Sequence, residues 1–168
     1  MSSQTPGPQA PLAGSQPLTA GLDEMVCFAL YSASRALTAK YRELLAPLGL
    51  TYPQYLVMIV LWQHGDISVR DLGRRLQLDS GTLSPLLKRL ESTGLVNRRR
   101  RVDDERSVLV ELTPAGSALR QRAADIPSSI CASTGLTLGD LEALRTQVDV
   151  LADAVRTSTA ESGRAAVT

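Results

Sequence analysis

The segment from Asp66 to Thr113, DISVRDLGRRLQLDSGTLSPLLKRLESTGLVNRRRRVDDERSVLVELT, constrains this chain more than any other. Apolar residues recur in it at helical spacing twice and then fill two short strand-like runs. The pattern predicts two short amphipathic helices, a turn and a β-hairpin. Between Arg70 and Arg101 stand nine Lys/Arg against three acids, Asp71, Asp79 and Glu91, or about +6 in a chain whose net charge is only +1. The remainder is acidic on balance, so the positive charge is concentrated where a polyanion would be met. Helix, turn, helix and cationic hairpin describe a winged helix-turn-helix, which lays its second helix in the DNA major groove.

A chain of 168 residues is one domain's worth, with 43% hydrophobic residues and 4% aromatic. Abundant Leu and Ala favour helical packing, so the expected class is mainly α with a small β-hairpin wing. No apolar run reaches the roughly 20 residues that span a bilayer. The start, MSSQTPGPQAPLAGSQPLTAG, has neither a basic beginning nor an apolar core and does not read as a signal peptide. The expected location is cytoplasmic, without membrane contact. Two cysteines in such a chain are reduced core residues or redox-active ones rather than a disulfide framework.

Residues 1–20 are too rich in Pro, Gly, Gln and Ser to fold and are expected to be disordered. A helix is predicted from Leu22 to about Leu45, ended by Pro47 and Gly49. Thr51 and Gln54 form a capping-box pattern ahead of YLVMIVLW, an all-round apolar run and hence a buried helix stopped by Gly65. Ile67–Leu76 reads as a third helix, with Ser68 a candidate cap. Asp79 or Ser80 caps the next, whose core stripe is Leu83, Leu86, Leu87 and Leu90. Its other face presents Ser80, Thr82, Ser84, Pro85, Lys88 and Arg89, small polar and basic side chains able to approach base edges. Pro85 is tolerable this near a helix start, and Gly94 suits a left-handed helix end. Residues 95–99 and 108–112 are expected strands, with 102–105 as the wing tip. Thr113-Pro114 opens a helix to about Ile126, interrupted by Pro127. Thr137 with Asp140 caps a last helix to about Thr157, and residues 159–168 are expected to fray. Leu138, Leu141, Leu144, Val148, Leu151 and Val155 form its apolar stripe.

The first and last helices carry apolar faces that a winged helix has little room to bury. The expected organisation is a 21–160 domain in which residues 53–112 bind DNA while 21–50 and 113–158 form a homodimer interface. Two-fold symmetry then presents two reading helices about 34 Å apart to an inverted-repeat operator.

The stretches VCFALYSASRALTAKY (26–41), LTYPQYLVMIVLW (50–62), LDSGTLSPLLKRLESTGLV (78–96) and DDERSVLVELTPAG (103–116) resemble the MarR family of transcriptional regulators. The pairing of Cys27 with LTYPQY is similar to the organic-hydroperoxide-sensing OhrR branch, in its two-cysteine type. The resemblance implies that Cys27 is oxidised and that hydroxyls matching Tyr41 and Tyr52 reach it from the partner subunit. It further implies that Tyr31 shapes the site and that Cys131 of the other subunit captures the sulfenic acid. Arg106 has two compatible readings, a minor-groove finger at the wing tip or a salt bridge to Asp104 that holds the wing, and the resemblance favours a role in DNA binding. Arg99 is a candidate contact, because alternation along a strand lets about half of Arg98–Arg101 face DNA.

Each site residue also has a plainer reading. Cys27 could be a small apolar residue in a helix interface, since no Lys, Arg or His lies within four residues to support a thiolate. Cys131 could be an ordinary helix-end cysteine, and any wing arginine part of a solvated face. Trp62 reads as core. His64, the only histidine, has no ligand-like spacing around it, so no metal site or cofactor is expected. The favoured function is a redox-sensing repressor that binds DNA when reduced and releases it when organic hydroperoxides oxidise Cys27. The alternative is a repressor of the same fold switched reversibly by a small aromatic ligand. An enzyme, such as a thiol peroxidase, would leave the cationic hairpin unexplained.

Overall fold

The structure, a computed structural model, describes residues 21–100 and 108–165, with side chains described to residue 159. The expected tail at 1–20, the wing tip at 102–105 and the Asp104–Arg106 pair lie outside these residues. The chain divides into two compact units at Arg35/Ala36, each described by itself.

A 3-10 turn at Leu22–Glu24 precedes α1 (Val26–Leu45). The 3-10 turn Ala46–Leu48 then ends at Gly49. α2 (Tyr52–His64) starts at the anticipated box: the Thr51 N–H donates to Gln54 Oε1 at 2.8 Å and the Thr51 hydroxyl to the same atom at 3.1 Å. Those bonds satisfy Gln54, the buried polar residue among the described residues. α3 (Val69–Leu76) and α4 (Ser80–Ser92) follow, then strands β2 (Val96–Arg100) and β3 (Val108–Leu112). The chain closes with α5 (Pro114–Arg122), α6 (Ile126–Thr134) and α7 (Leu138–Ala165).

The core is one cluster. Val57, Met58 and Leu61 of α2 pack with Leu72 of α3, Leu83, Leu87 and Leu90 of α4, Val96 and Val110 of the strands, and Leu119 of α5. Leu86, expected in the α4 stripe, is only half-buried.

Four sequence expectations are corrected. Ile67–Ser68 is a strand, β1, pairing antiparallel with β3 (Ile67 opposite Val110), so the sheet has three strands in the order β1-β3-β2. The helix begins after it, and Ser68 is its cap, accepting the Asp71 N–H at 3.0 Å. A cap residue has extended backbone, and with β-branched Ile67 before it two residues suffice for the pairing. Second, α5 stops at Arg122, and Pro127 opens a separate helix. A proline near a helix start lacks only an N–H that would have no intrahelical partner. Third, Cys131 therefore sits within α6 rather than at the end of a fifth helix. Fourth, α7 runs on to Ala165, past the predicted stop near Thr157. Its start is as anticipated, with Asp140 N–H donating to Thr137 Oγ1 and Thr137 N–H to Asp140, both at 3.2 Å.

Candidate functional site

Asp79, rather than Ser80, caps α4: its carboxylate accepts the Thr82 N–H at 2.8 Å and the Thr82 hydroxyl at 3.0 Å. Those bonds hold the Asp79 carboxyl below its ordinary pKa, the backbone N–H first and the hydroxyl second. With Leu83, Leu87 and Leu90 anchored in the core, Ser80, Thr82, Ser84, Pro85, Lys88 and Arg89 are all exposed. Pro85 does not break the helix, and the Ser84 hydroxyl donates to the Ser80 carbonyl at 2.7 Å. Gly94, at φ 72°, closes α4 in the left-handed conformation that glycine adopts without strain.

The wing arginines are not equivalent. Arg98 is clamped to the reading helix: its Nε and Nη2 donate to Glu91 Oε2 at 2.9 and 2.6 Å, and its backbone N–H to Oε1 at 3.2 Å. The Arg98 hydrogen bond, foremost among the causes, lowers the Glu91 pKa. Arg99, the predicted contact, is exposed but pairs with Glu111 on the neighbouring strand, Nε to Oε1 at 2.9 Å. Arg100, Lys88 and Arg89 are exposed and have no ion-pair partner among the described residues. Alternation along the strand suggested that half the arginines would face DNA. Glu91 and Glu111 are what divide them, and neither was singled out from the sequence.

The first unit holds one half of the predicted thiol site. Cys27 is an exposed free thiol in the first turn of α1. Tyr31, one helical turn on, is 56% exposed. Its hydroxyl accepts from Arg35 Nη1 at 3.3 Å, and the guanidinium lies 5.6 Å from the ring centroid. The sequence offered no cation within four residues of Cys27. Arg35, eight residues on, supplies one to the same helix face through Tyr31.

The second unit holds the other half. The Tyr41 and Tyr52 rings stack at 4.3 Å between centroids, and Tyr41 lies 6.0 Å from Tyr55. Burial first, then the neighbouring Tyr52 and Tyr55 phenols and the Cys131 thiol, push Tyr41 up to about 12. Burial likewise raises Tyr52 and Tyr55. Cys131, a half-buried free thiol, is thus within electrostatic reach of Tyr41 in its own subunit. Trp62, expected in the core, packs edge-on against Tyr55 at 6.1 Å and donates its indole N–H to the Gly116 carbonyl at 2.9 Å. Among the described residues no group of three or more His, Cys, Asp or Glu could hold a metal ion. No single helix there is long and apolar enough to cross a membrane.

α1 and α7 carry most of the exposed large apolar residues, among them Val26, Leu37, Leu138, Leu144, Val150, Leu151 and Val155. Within the predicted α7 stripe, Leu141 and Val148 are only half-buried.

Comparison with known proteins gives the same pattern. Residues 50–108 match the MarR family. The organic hydroperoxide resistance transcriptional regulator of Bacillus subtilis (strain 168) is 45% identical over 130 residues, 77% of this chain and 88% of the relative. The HTH-type transcriptional regulator TtmR of Methylorubrum extorquens (strain PA1) is 50% identical over 123 residues, 73% of this chain and 63% of TtmR. Among solved structures, reduced AbfR bound to DNA superposes with a TM-score of 0.69 at 31% identity, covering 80% of this chain and 93% of AbfR. Disulfide-formed AbfR gives 0.59 at 34%, covering 77% and 91%; the protein is from Staphylococcus epidermidis. With the winged fold, the exposed reading helix and relatives matched over most of their length, the chain belongs to the MarR family.

Proposed function

We propose that this chain is a homodimeric repressor that holds an inverted-repeat operator while Cys27 is reduced and lets it go once an organic hydroperoxide oxidises that thiol. One observation carries the reading: Cys131 is a half-buried free thiol within electrostatic reach of Tyr41 in its own subunit, where Tyr41 and Tyr52 stack at 4.3 Å between ring centroids. The family resemblance assigns Tyr41 and Tyr52 to the Cys27 of the other subunit. A Cys27 that reaches the tyrosine pair across the dimer therefore enters the neighbourhood of Cys131. The Cys27 thiolate attacks the peroxide, the O–O bond breaks, an alcohol leaves and the sulfur becomes a sulfenic acid. The thiol of Cys131 of the partner subunit then displaces water from that sulfenic acid, giving an intersubunit disulfide.

The remaining parts fit the same reading. The exposed apolar residues of α1 and α7 supply the dimer interface. Ser80, Thr82, Ser84, Pro85, Lys88 and Arg89 read base edges and phosphates, with Arg99 contributing from the wing; the family resemblance adds a role in DNA binding for Arg106. The Bacillus subtilis relative is an organic hydroperoxide resistance regulator, and AbfR has been solved both reduced on DNA and disulfide-formed. A repressor of chromosomal promoters works in the cytoplasm.

The deciding experiment is fluorescence anisotropy on a labelled duplex from the promoter of its own gene. It is read before and after stoichiometric cumene hydroperoxide and again after dithiothreitol. Release followed by rebinding establishes the thiol switch, and Cys27→Ser should abolish release. Unaltered binding after verified Cys27 oxidation sinks the proposal and directs attention to small aromatic effectors.

A further inference from the structure

We propose that Trp62 is the positioning residue that ties the tyrosine–thiol site to the DNA-reading head, so that a change at the former displaces the latter. The inference rests on the functional reading above. It starts from an unbroken series of contacts within the second unit. Tyr41, within electrostatic reach of Cys131, stacks on Tyr52 at 4.3 Å between centroids, and Tyr55, only 3% exposed, lies 6.0 Å from the Tyr41 ring and 6.1 Å from Trp62. From Trp62 the indole N–H reaches the Gly116 carbonyl of α5 at 2.9 Å.

Gly116 in turn sits directly on the junction between reading helix and wing. A Cβ there would overlap the Leu95 carbonyl oxygen and stand 3.2 Å from Leu112 Cδ2. The Gly116 N–H donates to Thr113 Oγ1 at 3.0 Å, and the Thr113 hydroxyl donates to the Gly94 carbonyl at 2.7 Å. Gly94 and Leu95 are the two residues between the end of α4 and the start of β2 apart from Thr93. Closely packed groups of this kind have no slack to absorb a displacement and pass it on. A change at the tyrosines that shifts Tyr55 therefore shifts the indole. The indole N–H has Gly116 as its partner, so α5 and the α4–β2 junction must follow or the bond must break. Trp62 does not touch the peroxide or DNA in this scheme. It acts through Gly116.

Trp62 is the only tryptophan in the chain, so its own emission reports the test. The emission spectrum of the full-length protein is recorded before and after one equivalent of cumene hydroperoxide, with Cys27→Ser as control. A change in the wild type that is absent from the control is expected, and an unchanged wild-type spectrum with the thiols verified as oxidised by mass spectrometry overturns the inference.

Trp62→Phe keeps an aromatic ring but removes the donor. Its readout is the ratio of operator Kd values, oxidised over reduced, rather than either affinity. Losing one N–H···O=C bond corresponds to about a fivefold change, so the ratio should fall at least about fivefold below wild type, with Cys27 and Cys131 oxidising as before. A wild-type ratio in the variant overturns the inference and leaves the redox repressor standing. A wild type that stays bound after its thiols are oxidised overturns the repressor reading itself, and this inference with it.

Discussion

The close approach of Gly116 to the Leu95 carbonyl makes Gly116→Ala the sharpest test of how the reading head is held. The new methyl would fall inside the van der Waals envelope of the Leu95 carbonyl oxygen, 3.0 Å from its carbon and 3.2 Å from Leu112 Cδ2. Backbone and the base of the wing cannot swing aside as a flexible side-chain tip can. α5 must therefore lift away from the α4–β2 junction. Overpacking of this kind costs about 1–3 kcal/mol. Lifting also strains the Trp62–Gly116 and Gly116–Thr113 hydrogen bonds, each worth about 1 kcal/mol. Against this stands the helix-propensity gain of Gly→Ala, at most about 1 kcal/mol. The net destabilisation should be about 3 kcal/mol, lowering Tm by roughly 10 °C for a domain of this size. Gly139, also helical, is the matched control, because its Cβ would meet nothing nearer than Thr137 Oγ1 at 3.9 Å. Gly139→Ala should be neutral or stabilising by up to about 1 kcal/mol. Circular-dichroism melts at one fixed protomer concentration measure both, since a dimer's Tm depends on concentration. If Gly116→Ala melts within about 2 °C of wild type, the close approach does not fix α5 against the α4–β2 junction.

Three further outcomes follow from the ion pairs, caps and phenols. Glu91→Gln frees Arg98, so operator affinity should drop severalfold while binding to a scrambled duplex holds or rises and its salt dependence steepens by about one phosphate contact; anisotropy across a KCl series shows this, and equal losses on both duplexes would refute it. Arg98 lowers the Glu91 carboxyl, so the clamp's contribution is present above the ordinary carboxylate pKa and is lost as pH falls through the lowered one. Glu91→Gln and wild type should accordingly differ at neutral pH and converge as the pH falls below the lowered Glu91 value. Thr51→Val removes a capping partner of Gln54 and should cost about 1 kcal/mol in urea unfolding. Tyr41, pushed up to about 12, should appear as a late-ionising phenol in ultraviolet titration and vanish in Tyr41→Phe. Because its folded pKa is raised, its stabilisation is full below pH 10 and disappears as pH rises towards 12.

Much of the architecture was legible because its signals are local. Asp79, Gly94, Thr113-Pro114 and Thr137–Asp140 mark element ends through bonds spanning two to four residues, and the Leu83/Leu87/Leu90 spacing sets which face of α4 is left for DNA. What escaped is non-local or too short to have a period. β1 has two residues and exists through its pairing with β3, which lies some forty residues on. The break between α5 and α6 reads as an interruption at Pro127 until the turn before it is seen. The partners of Arg98 and Arg99 are fixed by where Glu91 and Glu111 end up, which charge counting along the chain does not show. Trp62 was read as core, and its indole bond to Gly116 crosses 54 residues. A glycine three residues into the Thr113-Pro114 helix start was the available hint, since a helix tolerates one there at a cost.

Gly135, at φ 69°, separates α6 from α7 only four residues after Cys131. The helix beyond it has 28 residues, or about 42 Å of rod. Such a rod is a lever with its fulcrum beside the thiol. A tilt of about 5° at that fulcrum carries the far end through roughly 4 Å, more than the length of a hydrogen bond. Mechanical gain of that order makes a small change at the α6–α7 turn a large one at the end of α7.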